Sequence, residues 1–170
     1  GHIYIGTSSW VLTHVPFKKT DMLHAIASLP SSIPGRYFAA NEQDMAGGCL
    51  EHLIHNLLYD KAPQEGRAAS PDLGRGTPPQ DVYARLDALA ASTPAGRGGL
   101  IYMPWLNGEK TPVDSETLRG GFLNLSVTSA REHMVRAVYE GVAMNTRWLL
   151  GYLERFVGRR MDPLAIIGGG

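Results

Sequence analysis

The stretch from residue 119 to residue 144 constrains the fold of this chain more than any other. A short apolar strand, Phe122–Val127, is predicted to open directly into a long amphipathic helix. Ser129 and Glu132 have the spacing of a capping box, in which each end side chain accepts a backbone N–H of the first helical turn. Apolar residues then recur at helical spacing, at Val135, Val138, Val142 and Leu149. One face of this helix is therefore expected to pack on a sheet.

Gly141 interrupts the same helix, at a cost of about 1 kcal/mol relative to alanine by helix propensity alone. Its presence predicts that another segment of the chain approaches the helix closely at this point. The helix is expected to run to about Val157, with Gly158 as the residue that ends its last turn.

Short apolar strands alternate with helices in the rest of the chain, which predicts an α/β fold. The predicted strands lie near Ile3, Arg36, Gly99, Phe122 and Leu164. We expect them to join one mixed central sheet flanked by helices, with the last strand buried. Two further helices are predicted at about 45–59, with Asp44 as N-cap, and at 80–91. Residues 60–79 are rich in glycine, proline and charge without periodicity, so they are predicted to form a long surface loop.

Two glycine-containing segments stand out as candidate sites. Gly6, Thr7 and Ser8 follow the first strand, and a turn of this composition offers backbone N–H groups and small hydroxyls to a phosphate. An ordinary hairpin turn is the commoner structure for such a tripeptide, and the residues alone leave both alternatives open. Gly47 and Gly48, at the start of the helix at 45–59, suit close packing of that helix on a sheet.

The composition excludes several classes of function. The 170 residues include 16 basic and 16 acidic side chains, so the chain has no electrostatic footprint for nucleic acid. No apolar run approaches the length of a membrane span, and no signal peptide is expected before the first strand. The single cysteine, Cys49, cannot form an internal disulfide, which favours a reducing, cytoplasmic setting. His52 and His55 have the spacing of a metal-ligand pair, but without a further ligand cluster we interpret them as polar-face residues.

The segment from residue 120 to residue 140 resembles the C-terminal signature of the FGGY carbohydrate kinases. The matching residues are Gly120, Phe122, Leu125, His133, Met134, Ala137, Val138, Tyr139 and Glu140. Asn124 departs from the family pattern, which usually has glycine at this position. Residues 104–112 are similar to a second family segment, and family-like motifs in the family's order cover nearly the whole chain. Glu109 in this segment and Arg119 beyond it are predicted to form an exposed ion pair.

The resemblance implies an actin-like ATPase (ribonuclease H-like) fold, in which ATP and a sugar meet between two domains. Residues 1–170 resemble part of the second domain, the nucleotide side, incomplete at both ends. By the resemblance, the nucleotide-binding residues are Gly6, Thr7, Ser8, Gly47, Gly168, Gly169 and Gly170. Thr7 is implied to face the terminal phosphates, and the final glycines to lie against the adenosine. Glu51 matches a position at which some relatives place an amide contact with the nucleotide.

The resemblance also implies a reaction: phosphorylation of a sugar or polyol hydroxyl by ATP with Mg²⁺. A pentulose such as xylulose is the favoured substrate, expected to bind mainly to the other domain. The catalytic aspartate of the family falls before Gly1, so no catalytic residue is assigned within this chain. The carboxylates set aside because they lie outside the family motif are Asp21, Asp44, Asp114 and Glu140.

Two other functions stay open at this point. The chain is alternatively a non-catalytic module of the same fold that binds a nucleotide or a protein partner. An actin-like assembly ATPase is the third hypothesis, against which the sugar-kinase signature around Glu140 argues. The isolated chain is expected to expose apolar faces that further elements would cover. Through these faces it should associate non-specifically or form a homodimer.

Overall fold

A six-stranded mixed sheet forms the centre of the computed structural model, which describes residues 1–60 and 75–169. The strands of the chain are β1 (His2–Ile5), β2 (Ser9–Val15), β3 (Thr20–Asp21), β4 (Ile26–Pro30), β5 (Tyr37–Gln43), β6 (Ile101–Met103), β7 (Gly121–Leu123) and β8 (Ala165–Gly168). In the large sheet the order is β3-β4-β5-β2-β1-β8. All neighbours are antiparallel except β8, which is parallel to β1.

Three α-helices accompany these strands in the described residues: α1 (Gly47–Leu53), α2 (Val82–Ser92) and α3 (Arg131–Val157). α1 continues as one π-helical turn at Ile54–Leu58, and a short 3-10 turn lies at Arg97–Gly99. The predicted surface loop at 60–79 lies mostly outside the described residues, at 61–74. Asp60 and Arg75, which flank that gap, form an ion pair of 3.0 Å.

α3 is the longest element, and it joins two hydrophobic cores. Its 27 residues span roughly 40 Å at 1.5 Å per residue. The N-terminal half places Val135 and Val138 in a core with α1, α2 and β6. The C-terminal half places Leu149 and Leu153 against the large sheet. The prediction that one face of this helix packs on a sheet is therefore confirmed for its second half.

The close approach predicted at Gly141 is confirmed, and the partner is a strand. A Cβ atom at this position would overlap the carbonyl oxygen of Tyr102 in β6. The Tyr102 side chain is buried in the helical core, where its ring lies 4.9 Å from that of Phe122 in β7. Glycine in α3 thus lets the helix lie directly on the backbone of β6.

The prediction of one sheet for all the strands is wrong, because β6 and β7 pair only with each other. Apolar runs predict that a strand exists, but they do not contain information about its partner. β6 instead lies against α3, with its Tyr102 backbone at Gly141. The expectation of a buried last strand is also wrong. β8 is an edge strand, and Ile166 is 70% exposed.

The predicted capping box at Ser129 and Glu132 is wrong. α3 begins at Arg131 with Ala130 as its N-cap, and the His133 Nδ1 atom accepts the Ala130 N–H at 3.0 Å. The Ser129 hydroxyl instead accepts the Ser126 N–H at 3.0 Å. Local hydrogen bonding of serine to a neighbouring turn thus competes with helix capping.

One face of the large sheet is left uncovered by the described residues. The cross-strand neighbours Tyr4, Trp10 and Ile167 lie on this face, and each is between 40% and 48% exposed. The opposite face holds Val11 and Val15, which are buried beneath α3, because side chains alternate along a strand. Exposed apolar surface of the kind expected from the sequence is therefore present on this face, and also on the opposite face at the β8 edge, where Ile166 lies.

Candidate functional site

A cleft of about 420 Å³ opens where the turn between β1 and β2 meets the helices. Its lining residues are Gly6, Thr7, Gly47, Leu50, Glu51, Tyr83, Asp87, Tyr139 and Gly169. Four of the seven residues expected to bind the nucleotide therefore share one cavity: Gly6, Thr7, Gly47 and Gly169. They come from the first turn, from the start of α1 and from the residue after β8, so the fold brings distant parts of the sequence together.

The turn at Gly6–Ser8 is held in place by the start of α1. The N–H groups of Ala46 and Gly48 donate to the Thr7 carbonyl oxygen at 2.8 and 3.1 Å. The Gly47 N–H donates to the Gly6 carbonyl oxygen at 2.8 Å. These donors at the start of α1 are therefore used within the protein and do not point at a ligand.

The two glycines of α1 make this close contact feasible. A Cβ atom at Gly47 would lie 2.6 Å from the Gly6 carbonyl oxygen. A Cβ atom at Gly48 would lie 3.2 Å from the Thr7 carbonyl oxygen. The packing interpretation of this glycine pair thus has direct structural support, since any side chain would push the turn away from the helix.

The same turn leaves hydrogen-bond donors unpaired. Within residues 1–60 and 75–169, the Thr7 N–H, the Ser8 N–H and the Thr7 hydroxyl have no hydrogen-bond partner. The Gly6 N–H donates across the turn to the Ser8 carbonyl oxygen at 2.9 Å. The Trp10 Nε1–H donates to the Ser8 Oγ at 3.3 Å. Consecutive free N–H groups with a hydroxyl beside them suit an anion with several acceptor oxygens.

The C-terminal glycines differ from one another in their surroundings. Gly168 has φ +118°, and a Cβ atom there would overlap the Ile5 carbonyl oxygen, so this residue lets β8 pair closely with β1. Gly169 has open space around its Cα and lines the cleft. Gly170 lies outside the described residues. Neither Ser8 nor Gly168 is among the described residues that line the cleft.

Two pairs of a tyrosine and a carboxylate form the opposite wall of the cleft. The Tyr83 hydroxyl donates to Glu51, whose other oxygen lies 3.1 Å from His55 Nε2. The Tyr139 hydroxyl donates to Asp87 at 2.5 Å. The hydrogen bond to Glu51 raises the pKa of Tyr83 to about 12. Burial, followed by the bond to Asp87, raises the pKa of Tyr139 well above its ordinary value. Both phenols are therefore neutral donors near neutral pH.

Sequence reasoning missed most of this wall. Tyr83 and Asp87 lie in α2, for which no family-like motif was identified, and Tyr139 was noted only as part of the signature. A signal was present, because Tyr83 and Asp87 are one helical turn apart and so share a face of α2. Glu51 was singled out, and the structure places it on the cleft, hydrogen-bonded to Tyr83.

The FGGY-like signature serves mainly to place α3. Asn124 has φ +65°, a left-handed conformation that glycine adopts freely and that asparagine tolerates better than most other residues. Its Nδ2 also donates to the carbonyl oxygens of Gly98 and Gly99, each at 3.2 Å. Glu140 is not among the residues that line the cleft, and its carboxylate binds Arg136 at 2.6 Å and accepts the Gly96 N–H at 3.1 Å.

The predicted ion pair between Glu109 and Arg119 is wrong. Glu109 is only 4% exposed, and its carboxylate accepts N–H groups from Asp44, Lys110 and the Asn145 side chain. Arg119 instead donates to the carbonyl oxygens of two residues near it in the chain, 116 and 118. The backbone at Glu109 is paired with Ser115 through an isolated antiparallel bridge.

The structure also corrects the role of Asp44. α1 begins after Ala46, and the Asp44 carboxylate accepts the Asn107 Nδ2–H at 2.8 Å instead of capping the helix. The Asp44 N–H is the group that donates to Glu109, at 3.1 Å. Asp44 thus connects the segment before α1 to the loop after β6.

Neither a metal centre nor a membrane helix is found in the described part of the chain. No three His, Cys, Asp or Glu side chains within it are grouped as metal ligands. His52 and His55 bind Asn56 and Glu51 on the surface of the first helix and its π-helical extension. No helix among the described residues has the length and apolar character needed to cross a bilayer.

Comparisons with known proteins agree on one family. The sequence model of the FGGY family of carbohydrate kinases, C-terminal domain, matches residues 1–170. A xylulose kinase from Staphylococcus epidermidis is 35% identical over 166 residues, which are 98% of this chain and 29% of that protein. A gluconokinase from Bacillus subtilis is 39% identical over 65 residues, 38% of this chain and 13% of that protein.

A solved structure supports the fold. The crystal structure of xylulose kinase from Bifidobacterium adolescentis superposes with a TM-score of 0.74 at 22% identity, over 99% of this chain and 29% of that one. The predicted fold class, an α/β actin-like ATPase domain with a mixed sheet, is thereby confirmed. The chain spans less than a third of the length of the relatives that it matches.

Proposed function

The chain belongs to the FGGY family of carbohydrate kinases, to whose C-terminal domain its whole length corresponds, and on this premise we propose that it forms the nucleotide side of an ATP-dependent sugar kinase. It would be one part of a longer protein whose remaining domain binds most of the sugar. The observation that carries the proposal is the set of unpaired donors at Thr7 and Ser8, at the edge of the cleft.

The charges of the cleft support one orientation of ATP. Glu51 and Asp87 would repel the polyphosphate, while the turn at Gly6–Ser8 offers N–H and hydroxyl donors. The terminal phosphates are therefore proposed to lie at Thr7. The adenosine is proposed to lie toward Gly169, where the absence of a side chain leaves room for it.

The proposed reaction transfers the γ-phosphoryl group to a sugar hydroxyl. The hydroxyl oxygen bonds to the γ-phosphorus as the bond to the β,γ-bridging oxygen breaks, and ADP leaves. The hydroxyl proton goes to a base that we do not place in this chain. Asp21, Asp44 and Glu140 are engaged by His24, Asn107 and Arg136 respectively, and none of them lines the cleft.

The role proposed for the chain is to hold the phosphates and to exclude water around them. Donors fixed before the substrate binds stabilise developing phosphate charge without reorganisation. The family implies Mg²⁺, but the described residues contain no group of three metal-ligating side chains that would fit it. We therefore assign no residue of this chain to the metal and derive no step through it.

A pentulose is the proposed sugar. The xylulose kinase from Staphylococcus epidermidis matches 98% of this chain, whereas the gluconokinase matches 38%. The test uses the full-length protein in two measurements: calorimetric titration with ATP, and sugar-dependent ADP release across ketoses, polyols and gluconate. ATP binding with turnover on a pentulose is the expected result. Failure to bind ATP would overturn the proposal, and ATP binding without turnover on any sugar would favour the non-catalytic module.

A further inference from the structure

We propose that Glu109 is a positioning residue for the phosphate-binding turn Gly6–Ser8, an inference that rests on the proposed function. Glu109 lies outside the cleft lining and touches no proposed substrate position. It acts through the segment before α1, whose N–H groups hold the carbonyl oxygens of the turn. Its buried carboxylate thereby holds in place the turn that carries the unpaired donors of Thr7 and Ser8.

The surroundings of Glu109 are unusual for a carboxylate. Oε1 accepts the N–H groups of Asp44 at 3.1 Å and Lys110 at 2.9 Å, and Oε2 accepts the Asn145 Nδ2–H at 2.6 Å. Among the described residues, no charged side-chain nitrogen of Lys, Arg or His lies within 4.0 Å of this carboxylate. Neutral donors alone therefore compensate a charge that is almost fully removed from water.

A contribution to folding stability does not by itself explain why a charged carboxylate is buried at position 109. Burial of an ionised group is expensive, and well-packed apolar residues in place of buried charges are often neutral or stabilising. A carboxylate does provide what an apolar side chain lacks, namely directional bonds to three separate donors. The three donors of Glu109 belong to its own loop, to α3 and to the segment before α1, so one side chain fixes these three elements relative to one another.

The effect of Glu109 reaches the turn through a short path. β5 ends at Gln43 and α1 begins at Gly47, so the N–H of Asp44 lies within the connection between them. The next residues donate to the turn: Ala46 and Gly48 to Thr7, and Gly47 to Gly6. The contact has no slack, since even a Cβ atom at Gly47 would lie 2.6 Å from the Gly6 oxygen. A displacement of Asp44 is therefore transmitted to Thr7.

α3 supplies the fixed reference for this arrangement. The Asn145 Oδ1 accepts the Trp105 Nε1–H at 3.2 Å, which orients the amide so that Nδ2 donates to Glu109. The hydroxyl of the next residue, Thr146, lies 2.9 Å from the Val142 carbonyl oxygen and 3.2 Å from the buried Gln43 Oε1, to which Ser9 donates at 2.7 Å. Ser9 directly follows the turn, so α3 also lies close to the residue at which the turn ends.

Exchanging the donor and the acceptor between positions 109 and 145 tests whether the hydrogen bond matters, because the size of both side chains stays nearly the same. In Glu109→Gln, the side chain keeps its size, but its NH₂ group faces the Asn145 NH₂ group, and two donors cannot bond. In the double variant Glu109→Gln with Asn145→Asp, the new amide donates to the new carboxylate. The second oxygen of that carboxylate still accepts the Trp105 Nε1–H, and the net charge is unchanged. The double variant therefore rebuilds the contact with opposite polarity.

The experiment measures ATP dissociation constants and both KM values in the full-length protein. For Glu109→Gln we expect the Kd and KM for ATP to rise about tenfold, the effect of losing one hydrogen bond to a charged group. The KM for the sugar should stay near the wild-type value. The double variant should recover most of the ATP affinity, because a restored pair shows as coupling between the two sites.

Several results would overturn the inference. Glu109→Gln with wild-type ATP affinity would show that the turn does not depend on Glu109, even if the melting temperature falls. A folded double variant that binds ATP as weakly as the single variant would show that the contact geometry is irrelevant. If the single variant does not fold, the double variant alone decides, by whether it folds and binds ATP. A wild-type protein that binds no ATP would instead overturn the proposed function, and this inference with it.

Discussion

Thr7 concentrates the proposed phosphate chemistry in one residue. Its N–H and its hydroxyl are unpaired within the described residues, while its carbonyl oxygen is fixed by two donors from α1. Thr7→Val keeps the shape and removes the hydroxyl, so ATP affinity should fall by about 1.5–3 kcal/mol if that hydroxyl binds a charged phosphate. This corresponds to a rise in Kd of roughly tenfold to 150-fold, measured by titration of the full-length protein.

The matched control for this position is Thr7→Ser, which keeps the hydroxyl and should leave ATP affinity within a few-fold of wild type. The nucleoside adenosine, which has no phosphate, should bind all three proteins equally. Equal ATP affinity and equal turnover of Thr7→Val and wild type would remove Thr7 from the site.

Two glycines of α3 provide an internally controlled test of packing. A Cβ atom at Gly141 would overlap the Tyr102 carbonyl oxygen, whereas a Cβ atom at Gly151 would meet nothing within 4 Å. Gly141→Ala should therefore lower the free energy of unfolding by about 1–3 kcal/mol, typical of overpacking. Gly151→Ala should raise it by up to about 1 kcal/mol, through helix propensity. Urea unfolding of both variants measures the difference, and equal effects would contradict the close contact.

At the residue scale, sequence reasoning identified two glycines as sites of close packing but misjudged the buried polar groups. Glycine has no side chain and lets the backbone of another segment come close, so Gly47 and Gly141 could be identified from the sequence. Glu109 was expected in an exposed ion pair, because a glutamate in a loop is usually solvated. Its three donors come from residues 44, 110 and 145, and only the tertiary fold brings them together.

The contact of Tyr83 with Glu51 links two elements, α1 and α2, within one wall of the cleft. The pKa of Tyr83 is raised to about 12 from an ordinary value of 10.0. A raised pKa means that the folded state favours the protonated phenol. The contribution of this group to stability is therefore complete below about pH 10 and is lost as the pH rises to about 12.

Titration of the phenolate absorbance checks this link between α1 and α2. Tyr83→Phe should remove one high-pH step from the titration curve of the wild-type protein, and Glu51→Gln should move that step to lower pH. The stability difference between wild type and Tyr83→Phe should vanish above about pH 12. A Tyr83 transition that is unaffected by Glu51→Gln would contradict the hydrogen bond as the cause.

At the element scale, hydrophobic periodicity predicted which helices and strands exist better than it predicted which strands pair with each other. The amphipathic pattern of α3 and its end at Val157 were predicted correctly, and so was the helix that the structure places at Val82–Ser92. The pairing of β6 with β7 was not, because a three-residue strand has too few side chains to specify a partner. The start of α3 was misplaced, since Ser129 bonds within its own turn instead of capping the helix.

For the molecule as a whole, the 170-residue chain by itself is expected not to phosphorylate any sugar. It lacks an assigned general base, which typically contributes about 10²–10⁴-fold. The domain proposed to bind most of the sugar is not among these 170 residues. Positioning of the reactants by such a domain can contribute about 7–11 kcal/mol. A coupled ADP-release assay with ketoses and polyols measures this. Sugar-dependent turnover of about 1 s⁻¹ or more, the lower end of ordinary enzymes, would contradict the placement of the base outside this chain.

The uncovered face of the large sheet is also a property of the whole molecule. Tyr4, Trp10 and Ile167 form a row of neighbours across three strands, and nothing among the described residues covers them. Contiguous apolar surface of this kind generally marks a place where another element or partner binds. The family relationship makes the rest of a longer kinase the proposed source of that cover, because the chain spans less than a third of its relatives.

Trp10 places a fluorescent side chain beside the turn Gly6–Ser8. Its indole N–H donates to the Ser8 Oγ, so the ring is bonded directly to the residue next to Thr7. The other two tryptophans of the chain lie elsewhere, Trp105 against Asn145 and Trp148 beside Tyr152. Indole emission shifts with hydrogen bonding and with the polarity around the ring. The protein therefore contains an intrinsic fluorophore at its proposed phosphate-binding turn, and a change in Trp10 emission on addition of nucleotide would report binding without any label.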